Sequence, residues 1–87
     1  MYKYEELRPF IFTEYGQAMF MNIYKTARDL LQKAGAFKMD HVMRGMSGDC
    51  WTMIACVDRL VELGEIYEVT QAGVYGQDRV FVAGKIS

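Results

Sequence analysis

Residues 49–83, DCWTMIACVDRLVELGEIYEVTQAGVYGQDRVFVA, decide how the chain is read. Asp49 stands where a helix N-cap belongs, since its carboxylate can accept the free amide of Trp51 or Thr52. Over 50–63, Met53, Val57 and Leu60 fall within about 60° of one another on a helix that turns about 100° per residue. Cys56, Ile54 and Val61 flank them, which predicts the buried side. The opposite arc holds Trp51, Thr52, Ala55, Asp58, Arg59 and Glu62. Gly64 supplies the helix stop. Residues 65–70 then alternate at period two, and 78–83 are β-branched and aromatic. Gly73 and Gly76 between them suit a hairpin tip.

Upstream, Ser47-Gly48 is a turn, and Asp40, Val42, Met43 and Met46 predict a short helix over 39–46. Residues 36–38 are too short for more than a single β-bridge. Thr13 caps a long helix over 14–34, whose apolar positions Tyr15, Met19, Ile23, Ala27, Leu30, Leu31 and Ala34 recur at helical spacing. Gly35 ends it. Residues 1–13 read as an arm: Met1–Leu7 is polar and aromatic, and Arg8-Pro9-Phe10-Ile11-Phe12 suits an extended segment or edge strand because of its proline. Residues 84–87 read as a frayed tail. With 87 residues and no linker or repeat, the chain is read as one domain.

Ala18-Met19-Phe20-Met21 and Ile23-Tyr24 make the first half of the long helix apolar on more than one side. A helix over a single small core needs a stripe of somewhat over 100°, and Phe20, Met21 and Tyr24 exceed it. Two readings stand. The helix is buried beneath the N-terminal segment, or the chain is a homodimer joined through Phe10, Phe12, Phe20 and Tyr24. A hydrophobic fraction of 52% with 14% aromatics exceeds the ordinary soluble composition and favours a surface covered by self-association.

Composition narrows function. No apolar run approaches the roughly 18–20 residues of a bilayer span, and no signal peptide opens the chain, so a cytoplasmic protein is expected. Cys50 and Cys56 lie about 9 Å apart along one helix and cannot pair with each other. With His41 they lack zinc spacing, so no metal and no cofactor is expected. Gly73-Val74-Tyr75-Gly76 lacks the lysine and following helix of a phosphate loop, and no catalytic constellation is evident. The formal net charge is −1; residues 1–43 carry six Lys/Arg against five Asp/Glu, and residues 44–87 four against six. DNA binding draws much of its affinity from neutralised phosphates, so a net-negative second half is an unfavourable start for it.

Leu60-Val61-Glu62-Leu63-Gly64-Glu65-Ile66 resembles the LxxxGxI ending of recognition helices in bacterial winged-helix regulators. Together with the helix–turn–helix–hairpin order, it marks residues 14–83 as similar in layout to the winged helix-turn-helix superfamily. The resemblance implies an α+β, mostly α fold of three helices and a C-terminal two-stranded wing spanning 65–83. It also implies that helix 50–63 is offered to a DNA major groove, with 71–77 beside the backbone. The expected contacts are Lys38, Arg44, Thr52, Arg59, Gln71, Tyr75, Gln77 and Arg79, in a dimeric transcriptional regulator or accessory factor. The alternative is a protein-interaction module using Trp51, Ala55, Asp58 and Glu62. Trp51 itself has two readings, a ring folded back over helix 39–46 or the wing, and an exposed anchor for a partner.

Overall fold

The computed structural model describes residues 2–84. Its elements are α1 (Tyr4–Ile11), α2 (Glu14–Ala34), β1 (Ala36–Lys38), α3 (Met39–Met43), α4 (Cys50–Glu62), β2 (Ile66–Glu68) and β3 (Val80–Ala83), with a single 3₁₀ turn at Gly76–Asp78. The architecture is α+β and mostly helical, with one small antiparallel sheet in the order β1-β3-β2. β3 lies in the middle, so the residues expected to make only a bridge form a true edge strand, with Phe37 opposite Phe81. Those two rings stack 5.4 Å apart and join the sheet to the core.

The local signals hold. The Thr13 hydroxyl accepts the Gly16 amide at 3.0 Å, and the Asp49 carboxylate accepts the Trp51 amide at 3.3 Å and the Thr52 hydroxyl at 2.8 Å. At the end of α4, Gly64 adopts φ 78, a left-handed geometry that costs L-residues energy but not glycine. The Glu65 amide then closes back on the Leu60 carbonyl at 2.9 Å, satisfying an orphan acceptor of the last turn. Met19, Ile23 and Ala27 of α2 meet Met53, Cys56, Val57 and Leu60 of α4 in one core with Ile11, Val42, Ile66 and Phe81.

Three expectations are corrected. The expected arm over 1–13 is not one in its described part, residues 2–13, and 8–12 are not extended: Tyr4–Ile11 is a helix with Pro9 inside it. Proline there removes one intrahelical bond, yet the helix persists because tertiary packing overrides the local cost. Ile11 is fully buried, Leu7 packs on the core, and α1 lies against both α2 and α4. The approach to α2 is so close that a Cβ on Gly16 would run into the Phe10 carbonyl and the Ile11 backbone. The second correction shortens helix 39–46 to Met39–Met43. Arg44 turns extended, at ψ 132, and the Met46 amide bonds the Met43 carbonyl, which carries the half-buried Met46 back against the core. In the third, the hairpin strands are shorter than 65–70 and 78–83. They are Ile66–Glu68 and Val80–Ala83, extended outward by a bond from the Val69 amide to the Val80 carbonyl. Of the tail expected at 84–87, all but Gly84 lies outside the described residues.

Candidate interaction surface

α4 is the centre of the candidate site, and its surroundings differ from the single-sided helix that periodicity suggests. Thr52 is only 4% exposed and Ala55 is wholly buried. Thr52 was expected at DNA and Ala55 at a protein partner, and neither reaches the surface. The reason is that the arc opposite the core is covered by α1, so α4 is enclosed on most of its circumference.

Along this covered arc the polar side chains are already paired. The Tyr2 hydroxyl donates to Asp58 at 2.5 Å and the Tyr4 hydroxyl to Glu62 at 2.6 Å. Arg8 Nε donates to Glu62 at 3.0 Å, and Arg59 reaches the same carboxylate at 2.9 Å. The Phe12 ring sits 5.2 Å from both the Arg8 and the Arg59 guanidinium, within cation–π range. Hydrogen bonds from Tyr4, Arg59 and Arg8 hold the Glu62 carboxyl down to about 2. Burial, and then the hydrogen bond to Glu62, push the Tyr4 phenol up to about 12. Burial and the bond to Asp58 raise the Tyr2 phenol as well.

On the hairpin side, Arg79 is fixed. Its guanidinium donates to Glu68 at 2.8 and 2.9 Å and to Asp58 at 2.8 Å, and lies 5.3 Å over the Phe81 ring. Hydrogen bonding to Glu68 is the largest influence raising its pKa, opposed by burial. With a side chain 18% exposed and two carboxylate partners, it is a strut between α4 and the sheet more than an available cation. Arg44 pairs with Asp40. Of the four cations expected at DNA, Lys38 alone has no ion-pair partner among the described residues, and it lines a separate groove with Val69, Gln71, Val74, Asp78 and Val80.

The aromatic surface left open on α4 is at its N-terminal end. Trp51 is 43% exposed, and its ring stacks on Tyr2 at 5.8 Å with planes 21° apart. Both readings of Trp51 therefore miss the ring it rests on. Tyr75 at the hairpin tip is 79% exposed. Tyr2, Ile54, Tyr75, Gly76 and Arg79 line a cleft of about 430 Å³. A second groove of about 260 Å³, lined by Tyr2, Lys3, Glu6, Leu7 and Trp51, shares the Tyr2 ring with it. The fold thus gathers Trp51, Asp58, Tyr75 and Arg79 around Tyr2, and leaves Lys38, Gln71 and Arg44 elsewhere. Gln77 is exposed in the 3₁₀ turn beside Gly76.

Tyr2, Tyr4 and Arg8 were absent from the expected site. A signal for Tyr4 and Arg8 existed in the spacing of Tyr4, Leu7, Arg8 and Ile11, an i, i+3, i+4, i+7 series, obscured by Pro9. Of the expected dimer residues, Phe10 and Phe12 are exposed, whereas Phe20 and Tyr24 are half-buried and stack in parallel at 6.2 Å. Cys50 is exposed; Cys56 is buried, which pushes its thiol up to about 11. Among the described residues there is no His/Cys/Asp/Glu group that could hold a metal ion, and no helix is long and apolar enough to cross a membrane. Compared with protein-family models, characterised proteins and solved structures, the chain matches none.

Proposed function

We propose that this domain is a protein-interaction module on a winged-helix-type scaffold. Its partner docks on the aromatic face formed by Tyr2, Trp51, Ile54 and Tyr75. Support for the scaffold comes from the order of α2, α3, turn, α4 and hairpin, the layout that the resemblance at Leu60–Ile66 implies. One observation carries the choice of a protein partner. The surface of α4 that remains open presents aromatic and aliphatic groups, while Arg59 and Arg79 are bound to carboxylates. Aromatic anchors surrounded by paired polar groups are the composition of a protein hot spot.

The DNA reading rests on layout. Arg44, Arg59 and Arg79, three of its four cations, are in ion pairs, and Thr52 is buried. A groove-reading helix offers cations and amides to phosphates and base edges, and α4 offers Trp51 and Ile54. Site-specific photo-crosslinking in cells separates the two. A photoreactive phenylalanine analogue in place of Tyr75 should give discrete protein adducts. The same group in place of Tyr67, exposed on β2, should not. Adducts to nucleic acid alone, or equal protein labelling from both positions, would count against the proposal. Self-association is a separate part of the reading: Phe10 and Met21 are half exposed on the N-terminal helices, and light scattering that finds a monomer at high micromolar concentration would remove it.

A further inference from the structure

Building on the protein-partner reading, we infer that the occupant of the aromatic face is a proline-rich segment in the extended polyproline conformation, with basic residues at its ends. Three rings, Tyr75, Tyr2 and Trp51, border two adjacent grooves, with Tyr2 common to both. Polyproline II helices carry no internal hydrogen bonds and repeat every three residues, and their pre-set backbone loses little entropy on docking between aromatic ridges. Ile54 lines the cleft beside Tyr75 and Tyr2, and that apolar wall suits a pyrrolidine ring better than a charged or planar polar group. The central ridge is preorganised, because the Tyr2 hydroxyl is anchored on Asp58 at 2.5 Å and its ring is stacked on Trp51.

The charge of the surroundings selects the ends of the ligand. Lining the two grooves or bonded to their lining, Lys3 and Arg79 stand against Glu6, Asp58 and Glu68, two positive charges to three negative. Glu6 lines the second groove itself and makes no ion pair among the described residues. Arg79, the cation on the first cleft, is held by Asp58 and Glu68. Single-stranded nucleic acid also stacks on aromatic rings, but it needs a cationic track for its backbone, and Lys3 is the one lining cation here outside an ion pair among the described residues. The balance therefore favours a peptide with arginine or lysine beside its prolines.

Trp51 is the sole tryptophan, so its fluorescence reports directly on the second groove. The probe is a synthetic peptide with proline at every third position between terminal arginines, titrated into the full chain. The expected result is a saturable change in Trp51 emission. Affinity should fall at least tenfold when each proline is replaced by alanine, and also in Tyr75→Ala, whose side chain is too exposed to be needed for folding. Tyr67→Ala should bind as the parent does. No saturable response at millimolar peptide, equal binding of the alanine version, or tighter binding of oligothymidine would each overturn the inference. If the peptide fails while position 75 still crosslinks a protein in cells, the ligand class is wrong and the protein-partner reading stands. If both fail, the reading falls with it.

Discussion

The two ends of α4 meet the same stretch of chain, residues 2–12, and come away differently. At the C-terminal end, Glu62 receives Tyr4, Arg8 and Arg59, with the Phe12 ring 5.2 Å from each guanidinium group. At the N-terminal end, Trp51 receives one ring, Tyr2, and the stack remains open toward Tyr75. The first arrangement pairs its polar groups with one another, while Phe12, Arg8 and Glu62 stay partly exposed. The second leaves aromatic area open to solvent. Where a fold satisfies its charges and where it leaves rings uncovered are different kinds of evidence. Here both point away from α4 as a free DNA reader.

The contrast is broken most severely by detaching α1. Ile11→Ala removes a fully buried side chain and should cost about 2–5 kcal/mol, the range for core truncation. A thermal melt matching the parent would return residues 1–13 to the status of an arm and uncover the arc that holds Thr52 and Ala55. Next in size is Asp58→Ala. It frees the Tyr2 hydroxyl and leaves Arg79 with Glu68 alone, for an expected loss of about 1–3 kcal/mol in urea unfolding, the cost of leaving a partly buried donor unmatched. An unchanged midpoint would mean that Arg79 is not the strut described.

The paired end also titrates. The Glu62 carboxyl is lowered from 4.5 to about 2 in the folded chain, so its contribution is present above pH 4.5 and is lost as pH falls from there toward about 2. The Tyr4 phenol is raised from 10.0 to about 12. Its contribution is present below pH 10 and is lost as pH rises through about 12. Glu62→Gln should flatten the acid limb of the stability curve, and Tyr4→Phe the alkaline limb. A Glu62→Gln curve that keeps the full acid slope would show that this carboxylate is not the one titrating. The smallest effect on stability is expected at the open end. Trp51→Ala should lose only about 0.5–1.5 kcal/mol, the value of one aromatic pair, because the ring is nearly half exposed. A loss of several kcal/mol would place Trp51 in the core and remove the anchor from the partner-binding face.

What could be read from the sequence was local. The Thr13 and Asp49 caps, the Gly35 and Gly64 stops, and the buried stripe of Met53, Val57 and Leu60 depend on neighbours a turn away, and each is where its pattern placed it. α1 escaped because its support is long-range. The bonds reach from residues 2–8 to residues 58–62, while its local i, i+3, i+4, i+7 series is obscured by Pro9, a helix breaker. Thr52 and Ala55 were misplaced for a related reason. Helical periodicity locates one core face, and small residues on the opposite arc look exposed unless a second helix is known to lie there. The cations misled similarly, since Arg59 and Arg79 are free on a wheel but paired once Glu62, Asp58 and Glu68 are brought to them. Tyr75 and Trp51 were legible as exposed candidates, and the ring that joins them, Tyr2, was not.

The central claim is that α4 is not offered to DNA, and a low-salt gel shift with random duplex DNA tests it most directly. With Arg59 and Arg79 held by carboxylates, no retardation is expected at micromolar protein, roughly the upper range of non-specific DNA affinity. Retardation of the parent that disappears in Arg59→Ala would contradict the account, because it would put that guanidinium on a phosphate instead of on Glu62.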